Sequence, residues 1–249
     1  MRPIIGVTSP WSVETWGDSL ESGGYFYVGR PYIEALSKYG ATPMLIVPEY
    51  NEESLEEHLD SILDVVDGLL FTGGGDVKTK YPEGLPTLRE QQPIRYDFEK
   101  ALMKRAYDRK IPVIGICRGF QMIIETFGGS LSEDTVDNHK QNLSGAEPWH
   151  EVEINKQSKL YNILGREDWD VNSFHVQKVE NVPENFIVSA RAKDGVVEGV
   201  EAVNDQFIAG FQFHPEELSW KDDSAGDIIK WFVKAAKEGK SEESVKDYD

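Results

Sequence analysis

Cysteine is almost absent from this chain: Cys117 stands alone among 249 residues. One thiol excludes an intrachain disulfide and any zinc site built on cysteines. Such sparse use fits a reducing compartment, so a cytoplasmic location is expected. Positive charge is also scarce. Twenty-six lysines and arginines face 44 acidic residues, a formal net charge of −18. A polyanion of this kind repels phosphate backbones, which argues against nucleic acid and anionic membrane surfaces as partners. No apolar run approaches the roughly 20 residues that cross a bilayer. The opening Met-Arg-Pro-Ile-Ile-Gly-Val-Thr lacks the h-region and cleavage site of a signal peptide and reads as a first strand. What the chain does have is 39% hydrophobic and 11% aromatic residues, too apolar for disorder.

Its first half alternates short apolar runs with helical spacings. Strands are expected at Ile4–Val7, Pro43–Val47, Gly68–Phe71 and Pro112–Ile116. Pro31 opens a helix with Ile33, Leu36 and Tyr39 on one face and Gly40 as its stop. Ser54 and Glu57 have the spacing of a capping box ahead of Leu55, Leu59, Ile62, Leu63 and Val66. Two further helices are expected over about Tyr96–Asp108 and Arg118–Phe127, the second stopped by Gly128-Gly129. Later strands at Val152–Ile154, Phe186–Ala190, Val197–Val203 and Ile208–Phe213 have little helix between them, before a last helix over about Ala225–Ala236. This order predicts an α/β, doubly wound, mostly parallel sheet with helices on both faces. The late strands either extend that sheet or form an antiparallel flap. No repeat or linker divides the chain, so one domain over 1–249 is expected, with a charged, frayed tail at 239–249.

Three segments carry chemistry. Val113-Ile114-Gly115-Ile116-Cys117-Arg118-Gly119 describes a strand that turns sharply into a helix and lifts Cys117 at the carboxyl end of a sheet. The helix start favours the reactive thiolate; a buried structural cysteine is the plain alternative. Cysteine catalysis needs a base and the base an orienter. Phe213-His214-Pro215-Glu216 supplies both types at the end of another strand, although the tripeptide alone is more often only a turn. Thr72-Gly73-Gly74-Gly75-Asp76 leaves backbone N–H groups open for an oxyanion. A flexible turn or a phosphate loop are the other readings, the latter disfavoured by Asp76 and the lack of a following Gly-Lys-Ser/Thr. The aromatic stretch from Trp11 through Trp16 to Tyr27 reads equally well as a wall over a pocket or a loop packed on its own rings.

Together these segments resemble the class I glutamine amidotransferase superfamily with its flavodoxin-like sheet. Within it they are most similar to the γ-glutamyl-γ-aminobutyrate hydrolase-like cysteine hydrolases of the peptidase C26 family. The likeness extends to Ile4-Ile5-Gly6-Val7-Thr8 and Tyr32-Ile33-Glu34-Ala35-Leu36. It continues through Arg95, Asp97 and Glu99, Asn172-Ser173-Phe174-His175 and Asp194-Gly195-Val196-Val197-Glu198. The resemblance implies Cys117 as nucleophile, His214 as base and acid, and Glu216 as its orienter. It further implies the N–H groups of Gly74 and Arg118 as oxyanion donors. Gly73, Gln121, Asn172, Ser173, His175 and Gln177 would bind the glutamyl group. Without the resemblance, His175 reads as a surface-loop histidine. No cofactor and no metal are expected; the partners are a small γ-glutamyl amine, of the γ-aminobutyrate or the polyamine type, and water, with self-association possible. Arg118 and Phe120 replace the Leu and His usual in biosynthetic glutaminase subunits, which favours a stand-alone hydrolase over a subunit passing ammonia to a synthetase. Val176 stands where the hydrolase branch often has a second His or a Gly.

Overall fold

The computed structural model describes residues 1–12, 24–49, 51, 53–74 and 85–246. The strands are β1 (Ile4–Thr8), β2 (Trp11–Ser12), β3 (Tyr25–Phe26), β4 (Thr42–Ile46), β5 (Gly68–Phe71), β6 (Val113–Ile116) and β7 (Ser130–Leu131). They continue with β8 (His150–Ile154), β9 (Asp168–Val171), β10 (Val179–Asn181), β11 (Phe186–Ala192), β12 (Val197–Ala202) and β13 (Ile208–Phe211). The helices are α1 (Arg30–Lys38), α2 (Leu55–Leu63), α3 (Leu88–Gln91), α4 (Pro93–Asp108), α5 (Arg118–Thr126), α6 (Lys159–Leu164), α7 (Pro215–Leu218) and α8 (Asp223–Lys246).

Among the described residues, nine strands form one sheet in the order β4-β1-β5-β6-β13-β12-β11-β8-β9. The first five pair in parallel and the last four are added antiparallel. The late strands therefore extend the sheet and do not form a separate flap. Alternate residues point to opposite faces of a strand. Leu70, Ile114 and Ile116 accordingly join a core with α1 and α8, while Leu69, Phe71 and Val113 join a second core with α2, α4 and α5. The doubly wound α/β arrangement is the one the sequence predicts. Among the described residues no helix is long and apolar enough to cross a membrane.

Several local expectations change. Ser54 makes no side-chain cap; its backbone is already helical, and its hydroxyl donates to the Asn51 carbonyl instead. A capping box forms at Thr87 and Glu90, a pair masked in the sequence by surrounding prolines. The buried face of α1 is Tyr32, Ala35 and Leu36, with Ile33 and Tyr39 only half-buried. Helix α4 starts at Pro93 rather than Tyr96, because proline at the first helical position lacks only an N–H that would be unpaired there. Helix α8 continues to Lys246, beyond the apolar spacing that ends at Ala236. Residues 247–249 of the expected frayed tail, and Trp16, Gly75 and Asp76, lie outside the described residues.

Close packing of α5 on the sheet decides where the strand-to-helix turn sits. A Cβ on Gly119 would lie 2.0 Å from the Phe71 carbonyl oxygen, and one on Gly115 would lie 2.4 Å from the Gly119 oxygen. Neither contact has a flexible side chain that could move aside. We expect Gly119→Ala to lower the unfolding free energy by at least about 1–3 kcal/mol, measured as a shift in denaturant midpoint.

Candidate active site

Parallel neighbours end on the same edge of a sheet, and that edge is where open α/β folds bind ligands. β5 runs out into Thr72-Gly73-Gly74, β6 into Cys117, and β13 through Gln212 and Phe213 to His214. Since β5, β6 and β13 are consecutive in the sheet, three segments far apart in sequence meet within two strand spacings.

Cys117 occupies the turn itself, with φ 53° and ψ −104°. Positive φ is costly for a residue with a side chain. Here the conformation is enforced by β6 on one side, α5 on the other, and a 2.7 Å bond from the Cys117 N–H to the Phe211 carbonyl. His214 places Nδ1 2.7 Å from Glu216 Oε1. A carboxylate only accepts, so Nδ1 carries the proton and Nε2 is left for the sulfur. Burial opposes charge on the ring, but Glu216 and a hydrogen-bonded Cys117 facing it hold His214 well above the ordinary imidazole range. Phe174 meets the His214 ring edge-on, 5.7 Å between centroids. Gly73 packs against both side chains: a Cβ there would be 3.3 Å from Cys117 Cβ and 3.2 Å from His214 Cε1.

A narrow cleft opens over this edge. Gly74, Cys117, Arg118, Gln121, His175 and Gln177 all line it. Gln121 Nε2 donates to Gln212 Oε1 at 3.1 Å. Gly73 is buried, and its N–H donates to the Tyr32 hydroxyl at 3.0 Å. Gly73 is not among the residues lining the cleft, and two further expected substrate-binding residues stand elsewhere. Asn172 and Ser173 are fully buried and are not among the residues lining the cleft. Asn172 accepts the His214 N–H at 2.7 Å and donates to the His214 carbonyl at 3.0 Å, so it clamps the backbone of the candidate base. Ser173 donates to the His139 carbonyl at 2.6 Å. The end of β9 points both inward, against main-chain groups.

Some participants escape a linear reading. Tyr32 sits on α1, and its phenol is raised well above the tyrosine range by burial and by its electrostatic coupling to Glu216 and Cys117; it stays protonated beside them. Gln91 and Lys140 also line the cleft, and nothing in their local sequence marks them. The described part of the aromatic segment lies beside the glycine run, with the Tyr27 hydroxyl 3.9 Å from a Gly74 Cβ position.

Beneath the glycine run lies a buried charge network. Glu99 accepts from Arg95 Nε at 2.8 Å, from the Thr8 hydroxyl at 2.7 Å and from Arg118 Nη1. Arg95 Nη2 donates to the carbonyls of Thr72 and Gly73 at 2.9 and 3.2 Å. Desolvation alone would raise the Glu99 carboxyl; its two arginines hold it below the usual range. Burial, joined by repulsion from Arg95, lowers Arg118 to about 10. The i,i+4 spacing of Arg95 and Glu99 on one helix was the available signal for this pair.

The peptidase C26 family model matches residues 3–216. The chain belongs to the peptidase C26 family. A Schizosaccharomyces pombe protein named "Putative glutamine amidotransferase" is 31% identical over 224 residues, covering 87% of this chain and 85% of that one. The Escherichia coli K12 gamma-glutamyl-gamma-aminobutyrate hydrolase PuuD is 27% identical over 227 residues, covering 86% of each. A Thermotoga maritima glutamine amidotransferase structure has the same fold, with a TM-score of 0.58 at 15% identity and coverage of 96% and 97%. This C26 chain is thus an enzyme of the hydrolase and glutamine amidotransferase superfamily.

Two outcomes follow from these contacts. In Glu99→Gln, two buried guanidiniums face each other without their shared carboxylate. We expect a loss of about 3–5 kcal/mol in unfolding free energy, measured by denaturant titration. His214 has a folded value raised above its unfolded value of about 6.5. Its contribution to stability is therefore complete below about pH 6.5 and is lost as pH rises through the folded value. Unfolding free energies of the wild type and His214→Gln should differ most at the acidic end of that window and converge on the alkaline side.

Proposed function

We propose that the enzyme hydrolyses the γ-glutamyl amide bond of a small γ-glutamyl amine through a thioester on Cys117. The observation that carries this reading is the His214 Nδ1–Glu216 Oε1 bond of 2.7 Å, which leaves the opposite face of the ring to the strained Cys117 at the adjoining strand end. The Cys117 thiolate attacks the γ-carbonyl carbon, and the developing oxyanion is met by the N–H groups of Gly74 and Arg118. Collapse breaks the C–N bond while protonated His214 passes its proton to the departing amine. Neutral His214 then takes a proton from water as the water adds to the thioester carbonyl. Collapse of that second adduct releases glutamate and restores the thiolate–imidazolium pair. Glu216 orients the ring throughout. Each oxyanion donor is worth about 2.7–4 kcal/mol of transition-state stabilisation.

Gln121 and Gln177 line the cleft with amide donors and acceptors suited to the amino-acid end of a glutamyl group, while both ring nitrogens of His175 are taken up by the Gln177 carbonyl and by His139 and Glu198. Lys140 also faces the cleft. A cation at that position favours a leaving amine that bears a carboxylate, as aminobutyrate does, over a polyamine. A second reading, a glutaminase that supplies ammonia to a synthetase partner, is favoured by the name of the S. pombe relative.

Cys117→Ala should lose turnover entirely while keeping its circular-dichroism spectrum; retained activity would overturn the mechanism. Across γ-glutamyl-aminobutyrate, γ-glutamyl-putrescine and free glutamine, we expect the highest kcat/KM for the first. If free glutamine were the best substrate, the glutaminase reading would replace this one.

A further inference from the structure

Behind the Phe174–Gln177 wall of the cleft lies a second cluster of titratable groups that the proposed chemistry does not use. His139, His150 and Glu198 gather there, with His175 beside them. Outer partners fix the tautomers of two rings. Asp194 Oδ2 lies 2.8 Å from His139 Nε2, and the Gln177 carbonyl lies 2.8 Å from His175 Nδ1. Both oxygens only accept, so those nitrogens carry the protons. Each ring then presents its other nitrogen inward, His139 Nδ1 and His175 Nε2, 3.1 Å apart, where a proton or a metal ion can be held.

Glu198 Oε1 lies 3.0 Å from the first and 3.3 Å from the second. His150 Nε2 is 3.5 Å from the same oxygen. Glu198 is fully buried; its Oε2 and His150 Nε2 both lack a hydrogen-bond partner among the described residues. Unpaired buried polar atoms are costly, and a cation between the Glu198 carboxylate and His150 Nε2 would satisfy both. Tetrahedral zinc with bonds of about 2.0–2.1 Å places its donor atoms about 3.3–3.4 Å apart. The distances from Glu198 Oε1 to His139 Nδ1 and His150 Nε2, 3.0 and 3.5 Å, bracket that edge length.

We propose that His139 Nδ1, His150 Nε2 and the Glu198 carboxylate bind a divalent transition-metal ion of the zinc class, with His175 Nε2 adjoining. Imidazole and carboxylate donors select such ions over magnesium or calcium. Asp194 behind His139 forms the outer carboxylate–histidine pair usual at metal sites. A surface depression lined by Asn138, Trp149, Lys193 and Asp194 reaches His139 and His150 from solvent, giving the ion an entry. Bound there, it would tie the start of β8 to β12 and, through His175, to the wall of the cleft. This role is structural and does not depend on which amide the cleft accepts.

The test is calorimetric titration of Zn2+ into chelator-treated full-length Cys117→Ala protein, which removes the one competing thiol. We expect one saturating equivalent per chain, a higher unfolding temperature, and, with Co2+, visible absorption of tetrahedral character. His150→Gln, whose side chain reaches the surface, should abolish binding with an unchanged near-ultraviolet circular-dichroism spectrum, and Glu198→Gln should do the same. Asp194→Asn should weaken it about 10–100-fold. His214, Glu216 and Glu217 form the other candidate group among the described residues, so His214→Gln should leave the affinity unchanged. Absence of saturable binding, or binding that survives His150→Gln and disappears with His214→Gln, would overturn the proposal.

Discussion

The carboxylate of Glu99 is the contact on which the candidate catalytic edge depends. It is fully buried and shared between Arg95, Arg118 and Thr8, so one side chain connects α4, the first residue of α5 and the end of β1. Through Arg95 the connection reaches the carbonyls of Thr72 and Gly73. A glycine run has little conformational preference of its own. Here its carbonyls are held from below by a guanidinium, which turns the peptide planes so that N–H groups are not the atoms facing Arg95. Such a network is weak evidence for stability, because desolvating the charges costs as much as their attraction returns. Its value lies in fixing one backbone geometry beside Cys117.

The order of strands supplies the other half of the arrangement. Adjacent strands stand about 4.8 Å apart, so the ends of β5, β6 and β13 set the glycine run, Cys117 and His214 at spacings that side chains can bridge. Antiparallel β12, β11, β8 and β9 then carry the sheet further and bring in the elements that support the base. Asn172, just after β9, holds the His214 backbone on both its N–H and its carbonyl. The antiparallel extension therefore positions the candidate base as well as widening the sheet.

Much of this was legible in a linear reading, for identifiable reasons. Apolar runs bounded by glycine and proline marked β5 and β6, and helical spacing marked α2 and α5, because burial imposes period and length directly on sequence. Strands such as β9 were missed: Asp168-Trp169-Asp170-Val171 alternates exposed and buried residues over only four positions, too short to register. The cap at Ser54 failed because capping depends on backbone angles as well as residue type. In the candidate site, Cys117, His214 and Glu216 stood out by their local turns. Tyr32, Lys140 and the inward-facing role of Asn172 did not, since each acts on residues distant in the chain.

The sequence by itself determined the longer apolar elements, the sharp turn at Cys117, the coupling of His214 to a carboxylate two residues on, and the alternation that demands a sheet covered on both faces. These are local properties, governed by backbone sterics, hydrophobic period and side chains within a few residues of each other. Only the tertiary structure decided which strand ends became neighbours, that Asn172 and Ser173 turn away from the cleft, and that His139, His150 and Glu198 converge behind it. Those outcomes come from strand order and from the requirement that buried polar groups find partners across the fold, and both lie beyond what residue spacing encodes.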